Sequence, residues 1–217
     1  MRVRFVLMLL VLLAPLVQMA VAATPDLDRA VLDYESGRLE QARSRFEVLA
    51  RRGVPAAKFN LAVMHLRGEM PKPDLVQAQT LLTQAAQGGF VTAQFMLGQA
   101  LETGRFGKPD LQTAHHWFER AASGGSSDAQ VAMGTAHYLG RGARKDASEA
   151  ARWFGLAARA GDVGAQYLLA SMYEQGDGVA FDLRLARYWY DIAARNGDDA
   201  APSKVKEVDA KLALLPG

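Results

Sequence analysis

Four stretches of this 217-residue chain, 57–92, 93–128, 129–164 and 165–200, align on one another without a gap, a period of 36 residues. A unit that small cannot bury its apolar face alone and must pass it to a neighbour. The repeat therefore predicts a one-dimensional stack of like units.

The recurring positions spell out a helical hairpin. Ala57, Ala93, Ala129, Ala165 and Ala201 share one register, where a small side chain lets a helix pack closely on its neighbour. Gly68, Gly104, Gly140 and Gly176 come next. There a left-handed residue ends the first helix, a conformation cheap only for glycine. Asp74, Asp110, Asp146 and Asp182 stand where a second helix should start, each carboxylate placed to accept from free first-turn amides. Asp74 with Gln77, and Asp146 with Glu149, have capping-box spacing, with Asp in place of the usual Ser or Thr. The second helix carries one apolar stripe at helical spacing. It is Leu111, Ala114, Trp117, Phe118, Ala121 and Ala122 in one copy, and Leu183, Ala186, Trp189, Tyr190, Ala193 and Ala194 in another. Gly89, Gly125, Gly161 and Gly197 close it. Abundant Ala with sparse Val, Ile and Thr agrees with helices over strands.

The ends differ from the middle. Residues 24–56 hold a shorter unit in which Ala42, Phe46 and Gly53 match Ala114, Phe118 and Gly125. Residues 201–217 hold one more helix, with Pro202 in its first turn and a Val205, Val208 and Leu212 stripe, expected to cap the last repeat. The expected total is eleven helices. Before them, Arg2 and Arg4, an apolar run from Phe5 to Val17 and a small-residue close at Ala20–Ala23 have the three parts of a secretory signal peptide. Pro15 and Gln18 interrupt a run already short of the roughly 20 residues a membrane span needs. Cleavage after Ala22 or Ala23 is expected, with no stable membrane insertion afterwards. The product would be periplasmic or secreted.

Charge and cysteine narrow the function classes. The chain has 25 Lys and Arg against 23 Asp and Glu, and losing Arg2 and Arg4 leaves 23 of each. That balance gives no electrostatic case for nucleic acid or an anionic membrane. With no cysteine, disulfides, thiol catalysis and a lipidated cysteine are excluded. His65 and His137 share a register two repeats apart, and His115 and His116 point different ways from one helix. Neither pair makes a metal site, no serine sits in a nucleophile elbow, and the glycine pairs of the turns follow no strand. The expectation is a protein without a catalytic site, metal or cofactor.

The pattern Ala-x-x-x-Leu-Gly-x-x-x-x-x-Gly, then Asp-x-x-x-Ala-x-x-Trp-Phe/Tyr-x-x-Ala-Ala-x-x-Gly, resembles the Sel-one-like repeat family of the tetratricopeptide superfamily. The copy at 165–200 matches best, through Tyr173, Gly176, Asp182, Trp189, Tyr190 and Gly197. Elsewhere His65, Leu101 and His137 replace the tyrosine of the first helix, and Leu81 replaces one tryptophan. The resemblance implies an all-α, right-handed α-solenoid of helix-turn-helix repeats with a concave face. It also implies a scaffold or adaptor binding a protein or peptide partner. A secreted effector acting on host proteins is an alternative, and a cell-wall or antibiotic hydrolase a further one. By analogy with tetratricopeptide grooves, the third, seventh and tenth residues of each copy would face a partner. These are Phe59, Val63 and Leu66; Phe95, Gln99 and Glu102; Val131, Thr135 and Tyr138; and Tyr167, Ser171 and Glu174. Phe59, Phe95, Tyr138 and Tyr167 either anchor that partner or pack between helices.

Overall fold

The computed structural model describes residues 25–214, so the expected signal segment and the last three residues lie outside the described residues. The described chain is helical: α1 (Pro25–Glu35), α2 (Leu39–Arg51), α3 (Pro55–Arg67), α4 (Leu75–Gln87), α5 (Val91–Thr103), α6 (Leu111–Ser123), α7 (Ser127–Leu139), α8 (Ala147–Arg159), α9 (Val163–Gln175), α10 (Leu183–Arg195) and α11 (Ala201–Ala213). Successive helices pack on one another along the chain, which makes an all-α solenoid with the eleven helices expected.

First helices begin two residues before the alanine register. Pro55 opens α3 at a position where its missing amide costs nothing. Ser126 and Asp162 cap α7 and α9 by accepting from the Ala129 and Ala165 amides. At the other end, Gly68, Gly104, Gly140 and Gly176 all take the left-handed conformation, with φ of 75°, 72°, 73° and 70°. The four aspartates cap the second helices as expected, Asp74 through the Val76 and Gln77 amides and Asp146 through that of Glu149. The return half of the capping box is not made. Asp74 gives its own N–H to His65 Nδ1 at 3.1 Å, and Asp146 gives its N–H to the His137 carbonyl at 2.9 Å. Asp110 and Asp182 donate likewise to the Leu101 and Tyr173 carbonyls. The cap amide thus ties the second helix back to the last turn of the first, and Glu149 is left to pair with Arg152.

The alanine register lies at the centre of the stack: Ala57, Ala93, Ala129, Ala165 and Ala201 are fully buried. Beside it runs a polar residue that periodicity did not single out. Gln94, Gln130 and Gln166 are buried, and their Nε2 atoms donate to the Ala86, Ala122 and Ala158 carbonyls at 3.1, 3.3 and 3.1 Å. Each amide thereby adds a second donor to a carbonyl near the C-terminal end of the preceding second helix, one that already accepts from the amide of Gly89, Gly125 or Gly161. A neutral bond of this kind contributes about 1 kcal/mol.

Within each hairpin a small residue meets a large one. Gly98 and Gly134 lie against the rings of Phe118 and Phe154, so close that an added Cβ would stand 2.6 Å from a ring carbon. The corresponding pairs are Ala62 with Leu82 in the first full copy and Ala170 with Tyr190 in the last, all four fully buried. The predicted second-helix stripe is buried except for Trp189 and Ala194, which are half-buried, and Leu111. Leu111 is 36% exposed, whereas its counterpart Leu183 is 6% exposed. The reason is position: α11 seats Val208 and Ala201 in one cluster with Leu183, while Leu111 lies at a cavity wall beside the Gly142 turn.

Gly98→Ala should lower stability by about 1–3 kcal/mol through overpacking, despite the better helix propensity of alanine. Adding Phe118→Leu recreates the Ala62–Leu82 pairing and should recover most of that loss. Urea unfolding followed by circular dichroism would measure both.

Candidate functional site

Three cavities follow one another along the first helices. The largest, about 570 Å³, lies among α1, α3 and α5, with Phe59, Val63, Leu66 and Met96 as apolar lining and Asn60, Gln99, Arg67 and Arg105 as polar lining. A second, about 220 Å³, has Glu102, His115, Thr135 and Arg141 on its walls. The third, about 210 Å³, lies between α7 and α9 and is lined by Thr135, Tyr138, Leu139, Leu168, Ser171 and Asp177. Of its lining, Tyr138, Leu139 and Leu168 are large apolar residues left exposed.

The predicted strip divides between these cavities and the core. Phe59, Val63, Leu66 and Gln99 come together in the first cavity, Glu102 and Thr135 in the second, and Thr135, Tyr138 and Ser171 in the third. Phe95 and Tyr167 are packed inward on the rings of their own hairpins, 5.7 Å from Phe118 and 5.1 Å from Tyr190 between centroids. Phe59 does both, lining the cavity while standing 5.1 Å from Phe90. Val131 packs against the α8–α9 cluster. Glu174 departs from the expectation: it is buried, and it accepts from Tyr190 Oη at 2.9 Å and Lys211 Nζ at 2.6 Å, with Lys204 Nζ at 3.5 Å. The covering helix α11 supplies both lysines. Burial alone would raise the Glu174 carboxyl, but those hydrogen bonds and charges outweigh it and hold it below the ordinary range.

A second regularity runs along the same edge. The next-to-last residue of each first helix faces the residue that follows the left-handed glycine one repeat on. Tyr34 Oη donates to Glu69 at 2.8 Å, Glu102 lies 3.4 Å from Arg141, and the Asp177 carboxylate opposite Tyr138 pushes its phenol up. Glu174 closes the row on Lys211. At the remaining rung the partners are Leu66 and Arg105, both lining the largest cavity, and among the described residues the Arg105 guanidinium has no acceptor. Sequence reasoning passed over this edge, although the signal was present: the residue after the glycine changes from Glu69 to Arg105, Arg141 and Asp177.

The histidines serve the structure. His65 accepts the Asp74 amide, and His137 Nδ1 lies 3.2 Å from the Arg144 carbonyl. His115 and His116 do diverge. His116 lies against Trp117, while His115 turns toward His137 of the next unit, the rings 5.4 Å apart. Burial, and then the facing His137, push the His115 imidazole down.

Comparison with known proteins fits this geometry. The Sel1 repeat model matches residues 55–90, 91–126, 127–162 and 163–198, the frame in which the helices begin. The chain belongs to the Sel1 repeat family. It is similar to a Sel1 repeat protein from Oxalobacter formigenes at 32% identity and a TM-score of 0.71, over 80% of this chain and 73% of that one. It is also similar to c5321, a protective antigen of uropathogenic Escherichia coli strains with an SLR fold, at 31% identity and a TM-score of 0.73. That match covers 78% of this chain but only 36% of c5321. No curated protein matches the chain.

Glu174→Gln should destabilise the protein by about 1–3 kcal/mol at pH 7, since it weakens charge-assisted bonds in a buried place. The folded carboxyl lies below its unfolded value of about 4.3, so its contribution is present above that pH and is lost as pH falls through the folded value. The gap between wild type and variant should therefore close under acid. Urea unfolding at pH 7 and pH 3, followed by tryptophan fluorescence, would test this.

Proposed function

We propose that the protein is exported, sheds residues 1–23, and acts in the periplasm or outside the cell as a non-enzymatic scaffold. Its partner, a protein or peptide, lies along the face of the first helices. Sel1 repeat proteins are generally protein-interaction scaffolds, which gives this reading its starting point. The observation that carries it further is the row of cavities lined by Phe59, Gln99, Thr135, Tyr138 and Ser171, residues of one repeating register on successive helices. An apolar floor with a polar rim is the usual composition of a surface built to be covered. A secreted protein that meets host proteins is the second reading. Its support is the likeness to c5321, a protective antigen.

Cross-linking in intact cells, followed by capture from separate envelope and medium fractions, tests the proposal. The captured protein should begin at Ala23 or Thr24. One co-purifying protein should be lost, with affinity reduced about tenfold or more, when Phe59 and Tyr138 are changed to alanine. Gln99→Ala, at an exposed position, controls for a folding defect. Retention of the initiator end, or a partner indifferent to all three substitutions, would sink the reading.

A further inference from the structure

The edge described above is paired at four rungs and unpaired at one. Tyr34 with Glu69, Glu102 with Arg141, Tyr138 with Asp177 and Glu174 with Lys211 are each complementary. Only Arg105 faces an aliphatic side chain, that of Leu66. A lone exposed arginine would be unremarkable on most surfaces, because solvent satisfies it. Here the same register is matched at every other rung among the described residues, and the mismatch falls on the cavity of about 570 Å³. A second guanidinium, that of Arg67, lines the same cavity and donates to Tyr34 Oη at 2.9 Å. The nearby acid Glu69 is engaged by the same hydroxyl. The polar remainder, Asn60 and Gln99, carries no charge, so the cavity presents net positive charge above an apolar floor.

The geometry points to an acidic, apolar-flanked peptide segment as the occupant of the α3–α5 cavity. Its carboxylate would complete the rung at Arg105, and its neighbouring bulky side chain would sit on Phe59, Val63 and Met96. This rests on the scaffold reading above and adds the chemistry of the partner. Guanidinium groups present several donors in a planar fork suited to a carboxylate, so a segment bearing Asp, Glu or a free C-terminus is favoured over a neutral one. Charge complementarity also sets the direction of discrimination, since a basic segment would meet two like charges.

The test uses a library of random decapeptides displayed on beads and selected on the purified protein. Enrichment of Asp or Glu within two residues of Leu, Ile, Phe or Met is expected. For a selected peptide, Arg105→Gln should weaken binding about five- to tenfold at low salt, and less at high salt. Against the same peptide with its acid changed to the amide, Arg105→Gln should have little effect. Lys206→Gln, an exposed position on α11 outside the three cavities, should leave affinity unchanged. Leu66→Glu should give Arg105 an acid of its own and abolish the acidic preference. Peptides enriched without acids, yet lost on Phe59→Ala, would overturn the acidic class and leave the docking face standing. Absence of enrichment, or binding indifferent to both Arg105→Gln and Phe59→Ala, would overturn both.

Discussion

When the end of one helix is buried against the side of another, its last carbonyls are cut off from water and must find donors in the protein. At three junctions here a turn-glycine amide meets that demand, and the same side chain adds a second donor from the next unit. Gln94, Gln130 and Gln166 each extend from a first helix to a carbonyl of the helix before it, and each is buried in doing so. The alanines beside them keep the backbones close enough for the reach. At the last junction the Gln166 amide oxygen also accepts from Asn196 at 3.0 Å, which draws the end of α10 into the same network. The same fixing of one hairpin on the next recurs at α4–α5, α6–α7 and α8–α9.

Much of the fold was legible because its chemistry is local. A glycine that must turn left-handed, an aspartate that must cap and an alanine that must let a helix approach are demands made within a few residues. They recur wherever the unit recurs. The glutamines were legible in principle, as an Ala-Gln pair at 93–94, 129–130 and 165–166, but a polar residue reads as a surface residue until its acceptor is in view. The capping box was half legible. The aspartate's acceptance is local, whereas the destination of its own amide depends on how the preceding helix ends.

The partner-facing strip was readable as a register but not residue by residue. Third-position aromatics sit where helix and groove meet, and which side they favour depends on the ring opposite. Phe95 and Tyr167 find Phe118 and Tyr190 and pack inward; Phe59 has Leu82 in the corresponding place and remains at the cavity wall. Glu174 has the same register as Glu102, and its fate differs because α11 lies over it with two lysines. No periodicity in the repeats could announce what lies beyond the last of them.

The two ends of the stack are fastened by different means. At the C-terminal end, α11 is locked by charge through Glu174 and by packing through the fully buried Val208. At the N-terminal end, the register of the junction glutamine is occupied by Lys58, so the carbonyl of Ala50 receives no side-chain amide from α3. In a quasi-linear protein each junction contributes its own share to cooperativity. The same register at the α10–α11 junction is Pro202, so both terminal junctions go without that amide, and α11 relies on the Glu174 pairs and its packing instead. Tyr34 of α1 walls the α3–α5 cavity, so one of the two units held without a junction amide also borders the site.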